Sequence, residues 1–360
     1  MQPIRKEIIS IVSKLISFKT IDKNLQEINN CIDYIQDYFS NSKLIVKKFT
    51  SGNIPSLVIS NQDTKSFDIL FNGHIDVVPG TKKQFTAKVT NLKIFGRGAI
   101  DMKGSIASLM VLFKNLPKIN KKVGLMIVSD EEINGTNGTN YLVNKKVLKS
   151  KFTIIAEESD FNIVTKQKGQ ITIKLKALGK SGHGSQPWAG ENAIEKLYKY
   201  YLKIRNKFPQ NQTDIWNSSS INLGVIAGGE AVNVIPNYAE AKIDIRYPTI
   251  KRLETLLHDL KKITQSDETF MINSKTNPMN SGRSLPYINK LKQIIKEEIG
   301  RKSQIKWTNY CSDGRYFSDK KLPVIEFGPT GENYHTIKEY VEINSLVQYY
   351  NIINKLIESI

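Results

Sequence analysis

The chain has 360 residues, of which 40% are hydrophobic, and its 52 basic and 34 acidic residues give a net charge of +18. This length is enough for a large core and suggests two domains. Two cysteines are too few for a disulfide framework, which favours a reducing, cytoplasmic environment. No apolar run has the length of a membrane span, so we expect no contact with a membrane.

The basic charge is also typical of proteins that bind nucleic acid. Here, however, the lysines are scattered in ones and twos and do not form a stripe. We therefore expect no nucleic-acid partner, and we interpret the charge as a compositional background that can attract an anionic substrate.

The N-terminal segment is predicted to be a core helix and not a signal peptide. Its apolar residues Ile4, Ile8, Ile11 and Leu15 follow helical spacing, with charged residues throughout the segment.

The apolar run 69–71 predicts a short buried strand that ends just before His74 and Asp76. The C-terminal edge of a strand is where open α/β sheets bind ligands. A neutral imidazole is a good zinc ligand, and a carboxylate two residues away can accept its other N–H. A His-x-Asp pair alone is weak evidence, since a satisfied surface pair has the same pattern.

A glycine-containing loop around Asp101 precedes a predicted helix that includes Ile106 and Phe113 and stops at Pro117. Taken alone, Asp101 could simply be the N-terminal cap of this helix.

Two further apolar runs, 123–128 and 152–155, predict buried strands that end in acids. These acids are Asp130, Glu131, Glu132, Glu157 and Glu158. Adjacent carboxylates raise one another's pKa unless a cation lies between them. A solvated acidic turn is the alternative for the first group, but the repetition after a second strand favours metal binding.

The last candidate ligand, His335, follows a predicted strand at 324–327 and a Gly-Pro turn. Together these positions supply oxygen and imidazole ligands without thiolates, which is the ligand set of a hydrolytic zinc, cobalt or manganese site. Four or five protein ligands are too many for one catalytic ion with an open position. Two ions that share a bridging carboxylate are the more economical interpretation.

The chain resembles the dinuclear zinc amidohydrolases and peptidases of the M20 type over nearly its whole length, in five ordered segments: GHIDVVPG, GRGAIDMKG, SDEE, AEES, and a Gly-Pro turn followed by a histidine. The segments CSDGRYF and PVIEFGP are most similar to the desuccinylases that convert N-succinyl-LL-2,6-diaminopimelate to succinate and LL-diaminopimelate. Glu158 stands where the family usually has proline after its metal-binding glutamate, so Glu158 is an alternative ligand; Glu157 is favoured because it aligns with the family's acid.

The resemblance implies two zinc ions, with cobalt as a possible replacement. The implied ligands are His74 and Glu157 for one ion, Glu132 and His335 for the other, and Asp101 as the bridge. Asp76 would be the partner of His74, and Glu131 would be the general base that activates a water between the ions.

The resemblance also implies an α/β fold. Residues 1–168 and 281–360 would form a catalytic domain with a mixed, largely parallel sheet flanked by helices. Residues 169–280 would form a smaller inserted α+β domain that acts as a lid or dimerises. We expect a homodimer in which His183 reaches across to stabilise the oxyanion of the tetrahedral intermediate, and a loop histidine without this role is the alternative.

Other residues are candidates for contact with an anionic substrate. Alternation over 242–247 predicts a half-exposed strand, from which Arg246, together with Asn233, could face a carboxylate. The segment CSDGRYF adds Ser312, Gly314 and Arg315. A plain surface charge is the alternative for either arginine, and His258 is expected to be a surface residue of an amphipathic helix.

The metal ligands are common to related enzymes and cannot choose among their substrates. The alternatives are other N-acyl-amino-acid deacylases, which include acetylornithine and acetyllysine deacetylases and aminoacylases, and metallo-dipeptidases.

Overall fold

The computed structural model describes residues 2–208, 216–263, 268–282 and 285–359. Helices in these ranges are α1 (Gln2–Ser17), α2 (Leu25–Tyr38), α3 (Gly104–Lys114), α4 (Ala193–Arg205), α5 (Ile250–Ile263), α6 (Leu285–Ile299), α7 (Gly314–Asp319) and α8 (Ile343–Ser359). Among them no helix combines the length and apolarity needed to cross a membrane.

The strands of the same ranges are β1 (Ile45–Ser51), β2 (Ile54–Ser60), β3 (Ser66–Phe67), β4 (Ile69–His74), β5 (Lys88–Val89), β6 (Lys93–Phe95), β7 (Val123–Val128), β8 (Lys149–Ser150), β9 (Thr153–Ile155), β10 (Ile163–Gln167), β11 (Gly169–Leu178), β12 (Ser220–Gly228), β13 (Tyr238–Tyr247), β14 (Glu268–Thr276), β15 (Met279–Asn280), β16 (Ile305–Thr308), β17 (Val324–Glu326), β18 (Gly331–Glu332) and β19 (Tyr340–Glu342).

Two compact units make up the chain. The larger comprises Met1–Thr165, Asn280–Lys306 and Ser312–Ile360, and the smaller comprises Lys166–Met279 and Trp307–Cys311. The insert predicted from the sequence, 169–280, begins three residues later and ends one residue later than the main segment of the smaller unit, 166–279. The sequence did not predict that Trp307–Cys311 also belongs to the smaller unit.

The larger unit contains a mixed sheet in the order β1-β2-β7-β4-β9-β17-β10-β15, with β16 beside β10. The central strands β7, β4, β9 and β17 pair in parallel, and the pairs β1–β2, β2–β7 and β10–β17 are antiparallel. Parallel strands that are buried on both faces have continuous apolar sequences, so a run such as 123–128 predicts a strand of this kind. The predicted α/β fold with a mixed sheet flanked by helices is thereby confirmed.

Helices α1, α3, α6 and α8 pack against one another, and α2 packs against β2. Their apolar faces join the sheet in one core, in which Phe71 of β4 meets Phe113 of α3 edge to face at 6.0 Å. A second small sheet, β18-β19-β6-β5, brings the segment after β18 next to the loop after β6.

The smaller unit is an antiparallel sheet in the order β12-β13-β11-β14, with α4 and α5 packed on it. Strand β13 alternates as predicted, since Ile243, Ile245 and Tyr247 are buried in this unit's own core. Helix α4 begins at Asn192, whose side chain accepts hydrogen bonds from the N–H groups of Ile194 and Glu195.

Candidate metal centre

His74 is the last residue of β4 and is buried, with 2% of its surface exposed. Its Nδ1 lies 2.9 Å from the main-chain oxygen of Asp76. Because a carbonyl oxygen can only accept, the proton is on Nδ1, and the Nε2 lone pair is free to bind a cation.

Asp76 holds His74 differently from the sequence prediction. The prediction used its carboxylate, but Oδ1 lies 3.5 Å from Nδ1 and makes no hydrogen bond, whereas the main-chain oxygen does. The other carboxylate oxygen, Oδ2, accepts a hydrogen bond from the N–H of Glu132 at 2.9 Å. Asp76 therefore links the end of β4 to the turn after β7.

Asp101 lies in the loop between β6 and α3. Helix α3 has Lys103 at its N-cap, so the capping alternative for Asp101 is wrong. One carboxylate oxygen lies 3.0 Å from Nε2 of His74 and the other lies 3.0 Å from Nε2 of His335. The side chain is thus placed between two imidazoles.

Glu157 and Glu132 complete two groups of potential ligands. Oε1 of Glu157 lies 3.5 Å from Nε2 of His74, and Oε1 of Glu132 lies 3.2 Å from Nε2 of His335. Ligand atoms of His74, Asp101 and Glu157 fall within 4.8 Å of one another, as do those of Asp101, Glu132 and His335. Asp101 belongs to both groups. Glu158 belongs to neither and is half-buried beside them.

The pKa values show an excess of negative charge at this point. Hydrogen bonds from the His335 ring to the carboxylates of Asp101 and Glu132 raise the pKa of His335 to about 10. Burial opposes protonation of His74, yet the charge of Glu157 and the nearby carboxylate of Asp101, which can accept a hydrogen bond from the ring, raise its pKa well above the usual range. Burial raises the pKa of Glu157 to about 7. The carboxylates therefore need positive charge, which protons on the histidines or bound cations can supply.

The donor set fits divalent cations. Among the described residues, both groups consist of imidazole nitrogens and carboxylate oxygens, which suit zinc and other hydrolytic metals. A metal-binding histidine usually donates its other ring N–H to a carboxylate or a main-chain carbonyl, which fixes the tautomer, and His74 does so through Nδ1. Two cations at the shared Asp101 would replace the protons on His74 and His335 and neutralise the carboxylates.

Glu131 lies beside the two groups but belongs to neither. It opens the short helical turn Glu131–Ile133, which follows β7 and Asp130, so the adjacent residues 131 and 132 face different surroundings. Burial raises the pKa of the Glu131 carboxyl well above its usual range, while the charge of His74 lowers it. A carboxyl with a high proton affinity next to the ligands suits a general base.

Arg315 is buried, with 3% of its surface exposed. Its Nη1 and Nη2 atoms donate to the main-chain oxygens of Ser312 and Asn134, each at 2.9 Å. Ser312 is also buried, and its hydroxyl accepts from the N–H of Gly314 at the start of α7. This placement favours a structural role for the segment over the predicted contact with a substrate carboxylate.

Sequence reasoning missed the acid between these residues. Asp313 is buried, and its Oδ2 accepts a hydrogen bond from Thr139 at 2.5 Å. Its charge is close enough to Glu131 to raise the pKa of that carboxyl. The signal in the sequence that could have pointed to Asp313 is its position inside the segment CSDGRYF.

In the smaller unit, His183 and Asn233 lie on neighbouring segments. His183 forms a β-bridge with Val234, and the N–H of Gly184 donates to the oxygen of Asn233 at 2.7 Å. The His183 ring is exposed, and its Nδ1 lies 2.8 Å from the Ser185 hydroxyl. Two candidates that are 50 residues apart in the numbering are thus brought together.

Arg246 lies on β13 of the same unit. Its Nε donates to Oδ2 of Asp244 at 2.9 Å, and 27% of its side chain is exposed. Part of the guanidinium is therefore already neutralised within the strand. His258 is exposed on α5, as expected.

An α/β domain with two groups of nitrogen and oxygen ligands at its strand ends defines a metal-dependent hydrolase. The chain belongs to Peptidase family M20/M25/M40, whose profile matches residues 70–359.

Two relatives illustrate the similarity in sequence. A succinyl-diaminopimelate desuccinylase of Orientia tsutsugamushi (strain Ikeda) is 31% identical over 379 residues, which cover 96% of this chain and 95% of the relative. An acetylornithine deacetylase of Buchnera aphidicola subsp. Schizaphis graminum is 29% identical, covering 98% of this chain and 97% of the relative. The relatives therefore agree on a hydrolase of this family and differ in the acyl group named.

The fold is shared with solved structures. A tripeptidase from Staphylococcus aureus superposes with a TM-score of 0.82 and 17% sequence identity, covering 99% of this chain and 98% of the tripeptidase. This structural similarity supports the fold described above for the chain.

The geometry predicts different effects for the two adjacent glutamates after β9. Glu157→Gln should weaken zinc binding by more than about 100-fold, because loss of a ligand should exceed the 10–100-fold cost of losing a group that only orients one. Glu158→Gln is the matched control and should retain two zinc ions. Zinc content after removal and return of the metal measures both, and the reverse order would make Glu158 the ligand.

Proposed function

We propose that this enzyme hydrolyses the amide bond of N-succinyl-LL-2,6-diaminopimelate, releasing succinate and LL-diaminopimelate for lysine and cell-wall biosynthesis. The observation that carries the hydrolytic part is the Asp101 carboxylate between His74 and His335, with Glu131 beside both ligand groups but outside them. Two observations support the choice of substrate. The chain is similar to relatives named desuccinylases, and its net charge of +18 favours an anionic substrate.

The proposed cofactors are two zinc ions, which cobalt can replace. One would be held by His74 and Glu157, the other by Glu132 and His335, and both by Asp101. When bound, such ions lower the pKa of a water and polarise the amide carbonyl.

The chain's own residues would move the protons. Glu131 takes a proton from the attacking water, and its high proton affinity suits this step. It then delivers the proton to the leaving amine. Asp76 keeps the Nδ1 proton of His74 in place through its main-chain oxygen, so that Nε2 faces Asp101 and Glu157.

We also propose a homodimer formed by the smaller unit. Strand β12 is an edge strand whose Val225 and Ile226 are nearly half exposed, and an unpaired apolar edge is a template for pairing with a second chain. In this dimer, His183 of one chain would donate from Nε2 to the oxyanion formed in the other chain's site.

For the substrate's remaining carboxylates we favour Arg246 and Asn233 over Arg315, Ser312 and Gly314. The guanidinium of Arg315 is occupied by main-chain oxygens, whereas part of Arg246 is exposed. We expect the enzyme in the cytoplasm, in keeping with two free cysteines, Cys31 and Cys311.

The substrate is tested by measuring hydrolysis of N-succinyl-LL-2,6-diaminopimelate and N-acetylornithine side by side, with and without added zinc. We expect zinc-dependent turnover and a higher kcat/KM for the succinyl compound. Better turnover of the acetyl compound would make the enzyme a deacetylase, in line with relatives of that name. Absence of metal-dependent turnover with either would contradict the proposal.

Glu131→Gln should lower kcat by about 10²–10⁴-fold, because glutamine cannot carry the proton between water and amine. Both zinc ions should stay bound, since Glu131 belongs to neither ligand group. Kinetics and metal analysis of the same sample check this. Loss of a zinc ion would show that the base and a ligand have been exchanged.

His183→Ala should lower kcat by about 10²–10³-fold through loss of an oxyanion donor, with unchanged metal content. His258→Ala is the matched control, since His258 is an exposed histidine of the same unit, and it should keep wild-type activity. If the two variants behave alike, His183 has no role in the reaction.

A further inference from the structure

Glu339 is a buried carboxylate, four residues after His335, that has no role in the mechanism above. Only 2% of its surface is exposed, and its Oε2 accepts a hydrogen bond from Nη1 of Arg97 at 2.7 Å. Arg97 is equally buried and also donates to the oxygen of Pro79. The ion pair joins parts of the larger unit that are 242 residues apart in the sequence.

The second oxygen of Glu339 faces the loop that carries Asp101. Oε1 accepts from the N–H of Ile100 at 3.3 Å and from that of Asp101 at 3.5 Å. The main-chain oxygen of Glu339 also accepts from the N–H of Gly96 at 3.2 Å. Glu339 is therefore hydrogen bonded to both ends of the segment 96–101.

Stability alone is a poor explanation for this pair. Burying two charges costs desolvation energy, and an apolar pair of similar volume is often as stable. A carboxylate does one thing here that an apolar side chain cannot do, which is to bind the amides next to Asp101. Within the segment, Gly98 is in the left-handed region at φ +82°, which glycine adopts without strain.

From this geometry we infer that Glu339, with Arg97 as its partner, is a positioning residue that fixes Asp101 at the distance from His335 at which both can hold one cation. Because Glu339 follows His335 on the same segment and binds the main chain of Asp101, it joins the two ligands directly. The inference rests on the ligand roles proposed for Asp101 and His335.

The test is a cobalt titration of the metal-free enzyme, with Glu339→Gln as the variant. The amide keeps the size of the side chain, but its NH₂ group must face either Arg97 or the loop amides, which are all donors. We expect about 10–100-fold weaker cobalt binding, the range for groups that orient metal ligands. The loss should be larger for the ion at Asp101, Glu132 and His335, and the visible absorption of the bound cobalt should change.

Glu332→Gln is the matched control. Glu332 lies in β18, which pairs with the strand that follows Glu339; it is exposed, accepts a hydrogen bond from Tyr340 and belongs to neither ligand group. It should bind cobalt like the wild type. A folded Glu339→Gln enzyme with wild-type affinities and cobalt spectrum would overturn the inference.

Two further variants keep the outcome decisive. If Glu339→Gln does not fold, Glu339→Asp, which retains the charge but is one methylene shorter, is titrated with the same expected and contradicting results. Asp101→Asn separates this inference from the proposed site. If it too binds both ions normally, the ligand assignment is wrong, whereas an effect of Asp101→Asn alone leaves that assignment intact and removes only the role of Glu339.

Discussion

The site depends on the Asp101 carboxylate, which places one oxygen 3.0 Å from an imidazole on each side. Around it, Glu132 and Glu157 bring further negative charge; their side chains are 13% and 8% exposed, whereas His335 is about half exposed. Such a cluster is unfavourable unless positive charge lies within it. The pKa values of His74 and His335 are raised because the carboxylates favour the protonated, positively charged imidazoles. Two divalent cations meet it with ligands that are already assembled by the fold.

The central parallel strands explain how ligands from distant parts of the chain meet. In β4, β7, β9 and β17 the carboxyl ends lie at one edge, with His74 opposite Val128 and Asn72 opposite Ile155. The chain leaves this edge toward Glu131, Glu157 and His335, as is usual for ligand sites of α/β sheets. The tight turn after β7 carries both adjacent glutamates, of which Glu132 belongs to a ligand group and Glu131 does not.

Much of this was predictable from the sequence, because buried parallel strands are continuous apolar runs and their ends are marked by polar residues. The candidate ligands were found in this way, since each follows such a run or a glycine loop. The Asp76 contact was predicted with the wrong atom, because the pattern gives residue types and not the choice between a side chain and a carbonyl. The burial of Arg315 and the Arg97–Glu339 ion pair were not predicted, because burial and long-range pairing depend on the packed fold.

Anomalous X-ray diffraction at the zinc absorption edge can determine whether two cations share Asp101. Crystals of the zinc-loaded enzyme should give two anomalous peaks per chain. One should lie among His74, Asp101 and Glu157, and the other among Asp101, Glu132 and His335. A single peak, or two peaks that do not share Asp101, would contradict the account.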